Sequence, residues 1–405
     1  MPKLLQINTT AGRGSTGHIA ETIAALASAK GWDCYLAHGA RYVGNTEMTT
    51  YQVTSRVGEC LHYLKSLLFD SHGLGSRMAT KRLVSWIKEL SPDVIQIHSI
   101  HGYWLNYEVL FGYLRVSGIP VVWTFHDCWP ITGHCAIFPS QYCDKWKTGC
   151  GNCTALNQYP RSLFVDRSRR NHSKKQALFS SIPNMTVVTV SYWLKGIISQ
   201  SFLKEAPLQV VHNGVDISVF YPRDNAVPEI KARLGLEGKV VVLSVADQWN
   251  EGIGLSDIPR LRALLDNRFI IVLVGLTKSQ IEALPDGVVG VLHTNNREEL
   301  AEIYSAADIT FMPQTVATFG LVSVESMACG TPAVVYAPAA AEVIGGNGFV
   351  VPARDLTQLA EALSRFADAG GKAKYRESCI QRVREIYDEK INYSRYINLY
   401  DSLIH

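Results

Sequence analysis

Short runs of β-branched and aliphatic residues alternate along this chain with longer segments of helical periodicity, and that alternation narrows the accessible folds most. The first half carries KLLQINT (3–9), DCYLAHG (33–39), DVIQIHS (93–99), PVVWTFH (120–126) and TVVTVS (186–191). The second half carries VVVLSVA (240–246), FIIVLVG (269–275), VVGVLHT (288–294), DITFMP (308–313) and PAVVYA (332–337). Near-continuous Val/Ile/Leu runs describe strands buried on both faces, which arise where helices cover a parallel sheet. Helical patterns such as GHIAETIAALASAKG and REELAEIYSAA lie between them. The fold class is therefore α/β, with two doubly wound parallel-sheet domains. A length of 405 residues suits two such domains better than one. The join is expected around 205–225, where NGVDISVFYPRDNAVPE combines glycine, two prolines and mixed charge.

Composition excludes several function classes. A net charge of +3 is too near neutrality for a nucleic-acid binder. No apolar run approaches the roughly 18–20 residues that cross a bilayer. The opening MPKLLQINTTAGRG turns polar after a few apolar residues, too soon for a secretory signal. The expectation is a cytoplasmic protein whose nine cysteines are thiols or metal ligands rather than disulfides.

In open parallel sheets, ligands bind beyond the carboxyl ends of the strands, so the polar residues ending these runs are the candidates. Gly14, Ser15, Thr16 and Gly17 leave the first strand and enter a helix expected from about His18. Small residues there let main-chain amides approach a phosphate; a tight structural turn explains them equally well. His98, His101, His126 with Asp127, and His134 cluster after two other strands. A lone histidine beside a strand is ordinarily a satisfied core residue, but several at neighbouring strand ends suit a polar site that orients a sugar hydroxyl. Cys135, Cys143, Cys150 and Cys153 fall within CAIFPSQYCDKWKTGCGNC. They fit a structural four-thiolate zinc site, with free thiols or a redox-sensitive loop as the alternative. The segment RSLFVDRSRRNHSKK (161–175) sets six Lys/Arg against one Asp. It reads as a solvated helix face or as a contact for anionic lipid headgroups or an acceptor diphosphate.

The stretch FGLVSVESMACGTP (319–332) places Glu325 among apolar and small residues. A helix beginning after Phe319-Gly320 and ending at Gly330 would turn the first amides, near Leu321 and Val322, toward the sheet edge. Glu325, one turn further in, offers only acceptors, matched to the two hydroxyls of a ribose. A buried ion pair is the alternative, since an uncompensated carboxylate is costly there.

These residues resemble the retaining glycosyltransferases of family 4, which have the GT-B fold of two Rossmann-like domains facing across a cleft. The likeness extends through TFHDCWP, SYWLKG (191–196), VVHNGVDISVF (210–220) and FGLVSVESMACGTPAVV. The cysteine loop is similar to that of a subgroup serving bacterial surface polysaccharides. The resemblance implies an N-terminal acceptor domain (1–205), a C-terminal donor domain (206–387) and a last helix (388–405) packing back on the first; capping the second domain is the alternative. It implies a nucleotide-sugar donor, a glycan or lipid-diphosphate-linked acceptor and no catalytic cofactor, with the protein at the inner face of the membrane. Glu325 would hold the ribose, the amides after Phe319-Gly320 the diphosphate, His126 would sit at the reacting sugar, and Asn213 at the domain junction. Two departures stand out. The family places a second glutamate where this chain has Ala317, and a lysine where it has Ile253. Both losses fall on the reacting centre, so a weakened or non-catalytic binding protein of the same fold is the competing expectation. An epimerase or hydrolase of nucleotide-sugars is a third.

Overall fold

A computed structural model describes all 405 residues except 42, 139–142 and 405. The chain divides into two compact units, Met1–Val211 with Tyr393–His405, and His212–Asn392.

The first unit is built on seven strands: β1 (Lys3–Asn8), β2 (Asp33–His38), β3 (Thr49–Gln52), β4 (Val94–Ile97), β5 (Val121–Phe125), β6 (Met185–Thr189) and β7 (Leu208–Val210). Their order is β3-β2-β1-β4-β5-β6-β7, and every pair is parallel. The second unit has β8 (Val240–Val245), β9 (Phe269–Val274), β10 (Val288–Val291), β11 (Ile309–Met312), β12 (Ala333–Val335) and β13 (Gly348–Val350). Their order is β10-β9-β8-β11-β12-β13, again parallel throughout. Counted from its own first strand, each unit follows the Rossmann order 3-2-1-4-5-6, and the first adds a seventh strand.

All ten strand segments read from the sequence form strands. The three that were missed, β3, β7 and β13, are sheet edges of three or four residues carrying exposed or half-buried positions. With one face in solvent they lack the apolar continuity that betrays a central strand. Because β7 belongs to the first sheet, the units part at Val211 and His212 rather than at 205 and 206.

The last helix, Glu389–Ile404, presents Tyr393, Tyr396 and Tyr400 to the first sheet. They pack with Leu4, Ile19, Trp32, Val122 and Val188, and the Tyr400 ring meets Trp32 edge-on at 5.7 Å. In the second unit the segment after His212 is laced to the lead-in of that helix. Val215 donates to Tyr387 O at 2.8 Å, and Glu389 N–H returns a bond to Val215 O at 3.1 Å. A Cβ on Gly214 would fall 2.2 Å from Glu389 Cα, so the close approach requires glycine. Among the described residues, no helix is long and apolar enough to cross a membrane.

Candidate functional site

In each unit the strand order reverses at one place, between β1 and β4 in the first and between β8 and β11 in the second. Chain leaving such neighbours diverges, and the crevice beyond their carboxyl ends is where doubly wound sheets take ligands. The sequence-derived candidates fall beside these two places.

In the first unit the helix after β1 starts at Gly14, four residues earlier than His18, and Arg13 at its N-cap makes no side-chain capping bond to the first-turn amides. Ser15, Thr16 and Gly17 therefore lie in its first turn, whose amides have no intrahelical acceptor. Gly12 is conformationally demanded: its φ is +56°, and a Cβ would strike Asn45 O at 1.8 Å.

The histidines after β4 and β5 form one connected set. His98 Nε2 is 2.8 Å from Gln6 Oε1 and its Nδ1 3.2 Å from His126 Nε2. Gln6 is itself fixed by donating to Ala20 O at 2.8 Å. His101 Nε2 lies 2.6 Å from Asp127 Oδ2, while Asp127 Oδ1 accepts the Trp129 N–H at 2.8 Å. His101 Nδ1 continues to the Tyr159 hydroxyl at 2.9 Å. Burial pushes His126 down to about 4, with Asp127 pulling upward and His101 downward, so the ring is neutral at physiological pH. Burial holds His98 well below its ordinary value, and His126 adds to this. Burial would raise the Asp127 carboxyl, but His101 outweighs it and keeps it ionised. His134 stands apart from this set, with Nδ1 bonded to Asp70. His72 and Tyr159 belong to the cluster and were not anticipated. His72 Nε2 accepts the Gly102 N–H at 3.2 Å, and its ring meets Trp129, Tyr103 and Tyr159 edge-on. Its setting, FDSHGLGS, gives the sequence appearance of a polar turn.

In the second unit the helix after β11 runs Leu321–Ala328. Gly320 at its cap has φ +119° and offers no side chain to the first-turn amides, including those of Leu321 and Val322. A Cβ there would lie 3.0 Å from Ala340 Cβ. Phe319 is buried and its ring packs against Tyr387 at 5.7 Å. The helix is pinned to β11 where Ser326 Oγ donates to Thr310 Oγ1 at 2.7 Å and to Thr331 O at 2.8 Å. Glu325 is half-buried, and Oε2 accepts from the Tyr304 hydroxyl at 3.0 Å. Tyr304 is wholly buried; burial and the Glu325 charge raise its pKa, so it remains a donor. One partner of this carboxylate is thus a neutral hydroxyl on the neighbouring helix. Ile253, standing where a cation is expected, packs against the apolar core of this unit. Ala317 is half-buried in the loop after β11. Asn213 lies beside the Gly214 crossing, half-buried. His126 and Glu325 belong to different units.

All nine cysteines are free thiols. Cys135, Cys143, Cys150 and Cys153 line one small cavity of the first unit. Among the described residues, no three His, Cys, Asp or Glu side chains stand arranged to hold a metal ion.

Two Rossmann-like units, each with its polar loops at the reversal of strand order, define the chain as a protein of GT-B fold. Residues 13–219 match the family described as Glycosyltransferase Family 4, and residues 239–369 match that described as Glycosyl transferases group 1. The chain belongs to Glycosyltransferase Family 4. It is 24% identical over 324 residues to the putative colanic acid biosynthesis glycosyl transferase WcaC of Escherichia coli K12, covering 77% of each chain. Sucrose-phosphate synthase from Thermosynechococcus elongatus superposes with a TM-score of 0.70 at 17% identity, covering 100% of this chain and 99% of that one. HepE from Anabaena, solved with UDP and glucose, superposes with a TM-score of 0.68 at 16% identity, covering 99% and 100%.

The neutral histidines set a pH dependence of stability. Burial lowers His62 to about 4, as it does His126, and holds His72 and His98 well below 6.5. Below about pH 6.5 the unfolded chain takes up protons that the folded chain refuses, so stability falls as pH drops toward 4. Glu21 and Glu59, raised by burial, work in the opposite direction but are fewer. The melting temperature at pH 5 is expected to lie below that at pH 7.5; an equal or higher value would show the imidazoles accepting protons in the folded state.

Proposed function

We propose that this chain is a retaining glycosyltransferase that moves a sugar from a nucleotide-sugar to a lipid-linked glycan during surface polysaccharide assembly. The observation that carries the reading is the helix Leu321–Ala328, with uncapped first-turn amides at the reversal point and Glu325 one turn further in. Amides at a helix N-terminus bear partial positive charge suited to a diphosphate. The Glu325 carboxylate offers acceptors matched to a ribose hydroxyl. The likeness to WcaC, named for colanic acid biosynthesis, supports the polysaccharide setting.

On this reading the acceptor hydroxyl attacks from the side the diphosphate leaves. The bond from the anomeric carbon to the phosphate oxygen breaks, a bond to the acceptor oxygen forms, and a diphosphate oxygen takes the acceptor proton. The protein supplies position and charge stabilisation rather than a nucleophile. His126, neutral and held by His98, serves as a hydrogen-bonding group to a sugar hydroxyl and not as a general acid. In calorimetry across a panel of nucleoside diphosphates, at least one should bind, and Glu325→Ala should weaken it about ten- to a hundredfold, the loss of a charge-assisted hydrogen bond. Absence of binding across the panel would overturn the reading.

Ile253 and Ala317 favour a second reading, in which the chain binds nucleotide-sugar with little turnover. Losing one preorganised electrostatic group costs about 10²–10³ in rate. The double change Ile253→Lys with Ala317→Glu should then raise nucleoside diphosphate release by about tenfold or more. A parent chain that already turns over at ordinary rates, unimproved by the change, would dismiss it.

The acceptor side of the proposal rests on one face of the first unit. Helix Arg56–Phe69 exposes Val57 (69%), Leu61 (63%), Leu64 (45%) and Leu68 (39%), spaced as one helical stripe. Leu163 donates its N–H to Leu67 O at 2.8 Å, which brings the exposed Phe164 beside the end of the stripe. Leu61 and Met78 also edge a cavity of about 880 Å³ whose walls carry Lys65, Arg77, Arg82, Arg167, Arg170 and Lys174 against Glu108 alone. Apolar side chains beside a cationic hollow suit an anionic bilayer surface, each cation contributing about 1 kcal/mol. The chain should sediment with vesicles containing anionic phospholipid, less so in high salt, and Leu61→Glu with Leu64→Glu should release it. Equal sedimentation with purely zwitterionic vesicles, or none with either, would refute the contact.

A further inference from the structure

The cysteine loop of the first unit holds a set of groups that sugar transfer does not use. Cys135, Cys143, Cys150 and Cys153 line a single cavity of about 20 Å³, room for one small ion or water. The turn between the last two passes through Gly151 at φ +151° and Asn152 at φ +46°. Both cysteines are tied down, Cys153 by its N–H to Asp166 Oδ2 at 2.7 Å and Cys150 by its Sγ, which accepts the Gly133 N–H at 3.3 Å. Trp146 stacks on Phe138 at 5.3 Å over this cavity and donates its indole N–H to Cys143 O at 2.8 Å.

His134 is the independent pointer. It lines the same cavity and is 2% exposed, and Asp70 Oδ1 grips its Nδ1 at 2.6 Å. Among the described residues its Nε2 is buried without a hydrogen-bond partner. Asp70 is rigid in turn, its Oδ2 accepting the Arg167 N–H at 2.7 Å and its main-chain oxygen the Asn171 amide at 2.8 Å. An imidazole oriented by a buried carboxylate, in the wall of a cavity lined by thiols, resembles the supporting arrangement that metal sites use. The Lys175 amine, which burial pushes down to about 7, stands nearby and donates to Trp129 O at 2.6 Å and Thr132 O at 3.0 Å.

We propose that the four cysteines bind one zinc-type divalent ion as a structural tetrathiolate, with His134, positioned by Asp70, in the wall beside them. A soft dication with four thiolates carries a net charge of −2, which a protonated Lys175 would offset. The thiols do not stand in coordination geometry among the described residues, and protonated thiols have no mutual attraction. Binding therefore releases four protons and closes the sulfurs by rotation about their χ1 bonds. With all four positions taken by protein, the ion has no open site for substrate; its role is to fix the loop between β5 and helix Ser168–Phe179.

The test is metal analysis of the purified full-length chain. About one zinc per chain is expected, lost in Cys150→Ser with Cys153→Ser. In the parent chain, adding a chelator should make four further cysteines reactive toward a thiol reagent, and zinc returned to the chelated chain should raise its melting temperature by several degrees. That second measurement stands even where the double variant fails to fold. His134→Ala should keep the zinc but let the four thiols react faster, since it opens the wall beside them without removing a ligand. Purified chain without zinc whose melting temperature is indifferent to added zinc, or a double variant that retains as much metal as the parent, would overturn the proposal.

Discussion

The parallel hydrogen-bonding of both sheets is the constraint from which the rest follows. A parallel strand must be reached by a crossover, so each sheet is covered by helices on both faces and its interior strands become almost wholly apolar. Strands such as β4 (Val94–Ile97) and β9 (Phe269–Val274), buried at every position, are the result. Chemistry is thereby driven out of the sheet to its carboxyl edge, and within that edge to the point where the strand order reverses. The loops after β1, β4 and β5 in one unit, and after β8 and β11 in the other, are polar because nothing else in these units has that freedom.

The first unit makes one exception inside the sheet, and its hydrogen bonding, complete along this chain of side chains but for Gln96 Oε1, explains how it survives. A buried polar group without a partner costs about 1–3 kcal/mol. Gln6, in the middle of β1, uses both ends of its amide, one on Ala20 O and the other on His98. Gln96 donates to the Thr124 hydroxyl, which reaches the Tyr396 hydroxyl of the last helix at 3.1 Å. These bonds connect β1, β4, β5 and the final helix through side chains as well as through the ladder. His126 is therefore set by residues far from it in sequence: Gln6 positions His98, and His98 positions His126.

What the sequence disclosed and what it withheld follow from the same physics. Central strands were legible because burial on both faces leaves no room for polar residues. The edges β3, β7 and β13 were not, since solvent on one side erases that signature. Glu325 was legible as an anomaly, a carboxylate in an apolar run, whereas its partner Tyr304 was not, because a tyrosine in an amphipathic helix advertises nothing. Asp70 and His72 were hidden for the converse reason. Polar residues in a loop look solvated, and only the fold shows that both are almost entirely buried.

The departure at Ile253 takes on a physical meaning once its side chain is seen packed against the core of the second unit. A cation facing the leaving group acts most strongly as the bond breaks, when the diphosphate gains charge, and less on the intact donor. Under the proposal the Glu325 carboxylate acts on the ribose, which changes little between ground and transition states, and the amides at Gly320–Val322 hold the diphosphate in both. On the proposed reading, grip and rate therefore rest on different atoms: grip on a helix terminus and one carboxylate that this chain retains, rate on side chains it has replaced. The helix terminus cannot be lost without unmaking the fold, because its amides are part of the β11–helix crossover. The charge at 253, by contrast, can be exchanged for an apolar side chain that the core accepts. A fold built this way loses turnover before it loses the ligand.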